Sequence, residues 1–335
     1  MESSRARRGR RSRPSRRRPL LYITLATVAV LGATAGGTVY VKGHAHSGTG
    51  AVSSSSPAPS ASASESESES DEGISVESVA APEVDYDTLL AKAMTSVSVP
   101  SGAKVSAAVL DVDSGDGAAY GDAAFDTASI VKVDILATLL LQAQDAGRHL
   151  TASEKSYATT MIENSDNTSA SALWDAIGQA EGLDAANERF GLTDTEGGDG
   201  ALWGLTQTTA ADQLTLLQQV FGDDSELSEA SQAYIQGLMG QIAADQHWGV
   251  SAAADGSAWA LKNGWLPRST TGLWDINSIG RVTSGGHTYL VAVLSNGNAT
   301  QAKGITLVEA AAKAAVSALA DDTTSATASA SATGW

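Results

Sequence analysis

The chain has 335 residues, 42% of them hydrophobic, which is enough apolar surface for one substantial core. It contains no cysteine, which excludes disulfides, thiolate metal sites and a lipid-modified cysteine. Nine of the 21 basic residues are arginines between Arg5 and Arg18, and only Glu2 of the 38 acidic residues precedes them, so 12 basic against 37 acidic residues leave the remainder at −25, a charge that repels nucleic-acid phosphate.

Residues 1–19 form a basic arm. Residues 20–41, Leu20 to Val41, carry no charge and are long enough to cross a bilayer. The arginines before them predict a cytoplasmic N-terminus and an exported body, a single-pass protein of the cell membrane. Ala33-Thr34-Ala35 resembles a signal-peptidase site and Ser15-Arg16-Arg17 a twin-arginine signal, so a retained anchor and a cleaved signal are both open. Residues 42–82 are rich in Ser, Ala, Pro, Gly and Glu, with too little apolar surface to offset ordering entropy, and read as a disordered linker. Residues 321–335, rich in Thr, Ser and Ala, read as a disordered tail.

The body is expected over 83–320. Asp87 to Val97 reads as a helix. Ala103 to Val112 alternates as a strand and turns at Asp113-Ser114-Gly115-Asp116-Gly117 into a second, short one. That turn resembles a calcium loop only loosely, because Asp116 stands where such a loop needs glycine, and it reads as a hairpin turn. Next comes Thr127-Ala128-Ser129-Ile130-Val131-Lys132, heading a run from Val133 to Leu141 that is apolar almost all round. Such a helix is buried. Its spacing puts Ser129 and Lys132 on one face. Further helices are predicted at 152–163, 167–178, 182–190, 208–220 and 228–244. Ala258 to Trp265, Leu273 to Thr283 and His287 to Ser295 read as strands, and Thr300 to Leu319 as a closing helix. Strands at both ends of a helical block predict an α+β fold: an antiparallel five-stranded sheet built from both ends of the domain, flanked by helices, with an all-helical subdomain beside it.

Three short motifs punctuate these elements. Ser129 and Lys132 alone read as a helix cap and a solvated lysine. Ser165-Asp166-Asn167, between two predicted helices, reads alone as an N-cap. Lys262-Asn263-Gly264, on the first late strand, reads alone as a turn. Their joint occurrence, in this order and on these elements, resembles the serine β-lactamases of class A and the penicillin-binding proteins, whose signature is Ser-x-x-Lys, Ser-Asp-Asn and Lys-Thr-Gly. The resemblance covers about 84 to 320 and points to a membrane-anchored, actinobacterial kind of member.

The resemblance implies a serine hydrolase. Ser129 is its nucleophile and Lys132 the base, if neutral. Ser165 relays a proton to the leaving nitrogen. The backbone N–H groups of Ser129 and Trp265 form the oxyanion hole. Asn167 holds the substrate's amide side chain, and Lys262, Asn263 and Gly264 its carboxylate end, while Asp166 orders the turn. The substrate is a β-lactam or a D-alanyl peptide of the cell wall, and the protein is expected to be a monomer without cofactor or metal.

Three departures qualify this. Asparagine replaces threonine at 263, the connection from Lys132 to Ser165 is short, and 191–208 lacks the Glu-x-x-Leu-Asn pattern that supplies the deacylating glutamate of class A. Glu196 is the only glutamate there, flanked by Gly197 and Gly198. Acylation is therefore expected to outpace release. A penicillin-binding or receptor module is the alternative. Outside the linker, which holds His44 and His46, the histidines show no metal-ligand spacing. No Gly-x-Ser-x-Gly elbow or phosphate loop is present.

Overall fold

The computed structural model describes residues 84–331, with side chains to residue 320. The segments read as basic arm, membrane span and linker lie outside the described residues. Five strands form one antiparallel sheet in the order β2-β1-β7-β6-β5. They are β1 (Lys104–Asp111), β2 (Gly117–Tyr120), β5 (Trp259–Pro267), β6 (Trp274–Ser284) and β7 (His287–Asn298). The central place of β7 between β1 and β6 joins the two ends of the chain, as the split pattern of strands predicts.

Each face of the sheet buries its own core. On one face lie α1 (Tyr86–Met94) and α8 (Gln301–Ser331), packed on Val109, Leu261, Val291 and Val293. On the other lie α2 (Val131–Asp145), α3 (Ala152–Glu163), α4 (Asn167–Ile177), α5 (Gln179–Phe190), α6 (Ala210–Phe221) and α7 (Glu229–Met239), with Ala108, Ile279, Ala292 and Leu294 beneath them. Period-two alternation along the strands assigns neighbouring residues to opposite cores. The helix α2 runs through the middle of the helical half, and all of its side chains but Gln142, Gln144 and Asp145 are buried. Its low amphipathicity in the sequence follows from contact on every side.

The boundaries of α3 and α4 follow local chemistry. Thr151 and Glu154 close a capping box at the start of α3. Asp166 caps α4, accepting from the N–H of Ser169 at 2.6 Å. Three expectations shift. The helix expected over 228–244 stops at Met239, where Gly240 follows, and becomes a 3-10 turn at Ala244–Gln246. The helix expected from 182 begins at Gln179, directly after left-handed Gly178. The closing helix runs on to Ser331, into the tail expected to be disordered, with no Gly or Pro between Leu319 and Ser331 to stop it. A short pair the sequence did not suggest, β3 (Phe125–Asp126) with β4 (Gln207–Thr208), ties the approach to Ser129 to the end of the 191–208 loop.

Candidate active site

Ser129 lies in a 3-10 turn, Ala128–Ile130, that feeds into α2. The turn is entered through Ala128 at φ +49°, a left-handed conformation that costs a non-glycine residue about 1–3 kcal/mol. Surrounding contacts hold it. Asn277 of β6 donates from Nδ2 to the carbonyls of Asp126 (2.9 Å) and Thr127 (3.0 Å), and its Oδ1 accepts from the N–H of Ser295 on β7 (3.0 Å). A side chain in the middle of the sheet thus pins the two residues that precede the turn. Asn277→Ala is expected to lower unfolding free energy by about 2–3 kcal/mol, since it leaves buried backbone groups unpaired. Denaturant titration checks this, and an unchanged midpoint would refute the pin.

From Ser129 the chain presents Lys132 one turn on, fully buried. Its Nζ meets the carbonyl of Ser165 at 2.7 Å, Asn167 Oδ1 at 2.8 Å and Ser165 Oγ at 3.2 Å. Ser165 can offer both its carbonyl and its hydroxyl to one lysine because its backbone is left-handed, φ +55°. Lys262, on β5, approaches Ser165 Oγ from elsewhere at 3.0 Å and donates to its neighbour's carbonyl, Asn263 O, at 2.8 Å. The Ser165 hydroxyl therefore bridges two buried amines.

The electrostatics follow from burial. Desolvation brings Lys132 down to about 7, against the opposing pull of the Asp166 carboxylate. Lys262 is pushed well below its ordinary value, first by burial and then by the charge of Lys132. Two ammonium groups around one hydroxyl repel. One neutral amine removes the conflict: its lone pair accepts the Ser165 O–H while the other lysine donates to the same oxygen. That arrangement is a path for a proton.

On β5 the backbone at Gly264 passes hard against the nucleophile turn. A Cβ there would stand 2.7 Å from Thr127 O, 2.9 Å from Ser129 N and 3.0 Å from Ile130 N. These are backbone atoms that cannot swing aside, so this approach requires glycine. It brings the strand, and with it the peptide of Trp265, alongside the N–H of Ser129. The Trp265 ring itself packs edge-on against Trp248, at 6.0 Å between centroids, and its centroid lies 6.0 Å from Lys262 Nζ.

Asn263 is a correction. The motif suggests a substrate ligand, but the residue is 0% exposed, and its Nδ2 donates to the carbonyls of Gln246 (2.8 Å) and Trp248 (3.1 Å). Alternation along β5 turns it away from Lys262. Its amide fastens the strand to the segment at 246–248. The same alternation was legible in the sequence. Asn167, in contrast, is exposed, and with Oδ1 engaged by Lys132 its amide nitrogen remains as a donor.

The 191–208 loop puts no carboxylate beside Lys132 among the contacts that define the site. Glu196 is exposed, and its backbone pairs with Gln207. Beside the lysine stands Trp203, missed in the sequence, whose ring centroid is 4.9 Å from Lys132 Nζ and whose Nε1 donates to Ser171 Oγ at 3.2 Å. An aromatic face stabilises a neighbouring cation but cannot take a proton from water.

A sequence model of the beta-lactamase enzyme family matches residues 141–319, a span that holds the second and third motifs and begins after Lys132. No curated protein matches the chain. Among solved structures, PBP-A is similar at 20% identity and a TM-score of 0.62, over 72% of this chain and 99% of that one. A substituted PBP-A, described as an acyl-enzyme complex with penicillin G, aligns at 20% identity and a TM-score of 0.59, over 70% and 97%. The TLA-1 extended-spectrum beta-lactamase aligns at 14% identity and a TM-score of 0.61, over 70% and 98%. At these identities the structures establish the shared fold.

Proposed function

We propose that this chain, which belongs to the beta-lactamase enzyme family, is a serine hydrolase that acylates Ser129 with a β-lactam or a D-alanyl peptide of the cell wall and releases the acyl group slowly. The observation that carries this reading is the Ser165 hydroxyl held between Lys132 and Lys262, at 3.2 and 3.0 Å, beside the strained turn that presents Ser129.

In the proposed reaction neutral Lys132 takes the proton of Ser129 Oγ as the oxygen attacks the amide carbonyl. The oxyanion is met by the N–H groups of Ser129 and Trp265 and by the positive end of α2. Collapse breaks the carbon–nitrogen bond. The proton passes from Lys132 through Ser165 Oγ to the leaving nitrogen. Lys262 attracts the substrate carboxylate electrostatically, and the Asn167 amide takes the carbonyl of its side chain. Water then has to attack the acyl-serine. Support for slow release comes from Trp203, which stands beside Lys132, and from the exposed place of Glu196. The same two observations favour the second reading, a penicillin-binding or receptor module that acylates and stays acylated.

The proposal includes a monomer outside the cell, tethered through residues 20–41, which lie outside the described residues. Among the described residues no helix is long and apolar enough to cross a membrane. A single labelling series tests these points. Intact cells treated with a membrane-impermeant fluorescent penicillin are expected to label the wild type and not Ser129→Ala. Intact mass of the purified chain is expected to show an adduct that persists for minutes or longer. No Ser129-dependent adduct with any β-lactam or D-alanyl ester would sink the hydrolase reading. Rapid multiple turnover would remove the receptor reading and the slow release together.

A further inference from the structure

Asp111 ends β1, Asp113 lies in the turn that follows, and His287 begins β7, 176 positions from Asp111 in the chain. Pairing of β1 with β7 sets Asp111 directly across from Tyr289. One donor atom each from Asp111, Asp113 and His287 then lies within 4.8 Å of the other two. All three groups have coordinating capacity left. Asp111 Oδ1 accepts the N–H groups of Asp113 and Ser114, which turns Oδ2 to His287 Nδ1 at 3.0 Å. Asp113 Oδ2 accepts the N–H of Thr288, leaving Oδ1. Asp111 is buried while Asp113 is exposed, so the cluster has a fixed floor and an open side.

A second observation comes from Tyr289. It is 1% exposed, its hydroxyl has no hydrogen-bond partner among the described residues, and its ring stacks on that of His287 at 6.2 Å. This unused buried donor belongs to the residue paired with Asp111 across the strands, where a water carried by a bound ion would find a partner.

We infer that Asp111, Asp113 and His287 form a divalent transition-metal site, suited to Zn2+, that fastens the β1–β2 turn to the β6–β7 turn. An imidazole with two carboxylates matches zinc, which takes nitrogen and oxygen ligands and fills its fourth position with water. Calcium wants six to eight oxygens. A histidine–aspartate ion pair, with Asp113 Oδ2 on the N–H of Thr288, accounts for those contacts but leaves Asp113 Oδ1 unused. The site lies on the α1 and α8 side of the sheet, away from Ser129, and does not depend on the acyl chemistry. The sequence hid it because the turn and His287 meet only through strand pairing.

Thermal unfolding of the full chain with 100 µM ZnCl2, set beside CaCl2, tests the site. Zinc is expected to raise the wild-type midpoint by about 5 °C and calcium not to. Both His287→Ala and Asp113→Asn are expected to lose the zinc shift; Asp113→Asn keeps an oxygen for Thr288 and so preserves the fold. No zinc shift in the wild type, an equal shift with calcium, or a shift that survives in both variants overturns the assignment. Zinc held by His44 and His46 in the linker belongs to the last outcome.

Discussion

Replacing Lys132 with alanine is expected to slow acylation of Ser129 by about 10³-fold, the range a positioned general base supplies. In the wild type the rate is expected to rise tenfold per pH unit up to about 7 and then level. The sign follows from the shift: burial lowers Lys132 to about 7, so the ammonium, which cannot accept a proton, dominates below that value and the amine above it. Lys132→Arg separates base from charge, because guanidinium stays protonated throughout. It is expected to be as slow as alanine and without the pH step. Intact mass at timed intervals between pH 5 and 9 reads all three. A flat wild-type profile, or an arginine variant that acylates normally, would assign the proton to another group.

Asp134→Asn is expected to stabilise the protein at alkaline pH by as much as about 4 kcal/mol, from a shift of some three pH units at 1.36 kcal/mol each. Asp134 lies two residues beyond Lys132 on α2 and is 1% exposed. Its Oδ2 accepts from Asn187 Nδ2 of α5 at 3.2 Å, and its Oδ1 has no partner among the described residues. Burial raises its pKa to about 7; the Asn187 hydrogen bond opposes this, and the charges of Asp184 on α5 and Asp212 on α6 add to it. A raised acid binds its proton more tightly folded than unfolded. The associated stability is full below the unfolded value near 3.8 and is lost as pH rises through about 7. The difference between variant and wild type should therefore grow from pH 4 to about pH 7 and then hold level to pH 9. Differential scanning calorimetry reads it as a gap of roughly 10 °C at the alkaline end. A gap independent of pH would mean that Asp134 does not titrate in this range.

The same carboxyl bears on the loop over the site. Asp212 Oδ2 accepts from the N–H of Asp194 (2.8 Å) and the hydroxyl of Thr195 (2.7 Å), and Asp184 Oδ1 from the N–H of Gly197 (2.8 Å). The two acids whose charges reach Asp134 thus anchor the 191–208 loop that carries Trp203. Stability and the covering of Lys132 share one cluster of acids behind α2.

What the chain declares on its own is what short-range geometry fixes. Ser129 and Lys132 share a face because a helical turn places residues three apart one above the other. Asp166 caps α4 because a carboxylate before a helix accepts its free N–H groups. The sheet made from both termini was legible in the alternation of its strands. What only the tertiary structure decided depends on atoms far apart in sequence. Asn277 holds the turn before Ser129 from 150 positions away. Trp203 rather than Glu196 reaches Lys132, because the loop's fold and not its composition selects the residue that faces inward. Asn263 matches the motif's spacing yet belongs to the opposite face of β5, where burial and two carbonyls claim its amide. Even the reactivity of Lys132 is of this second kind: its position is written in the helix repeat, but its pKa is set by how completely the folded chain removes it from water.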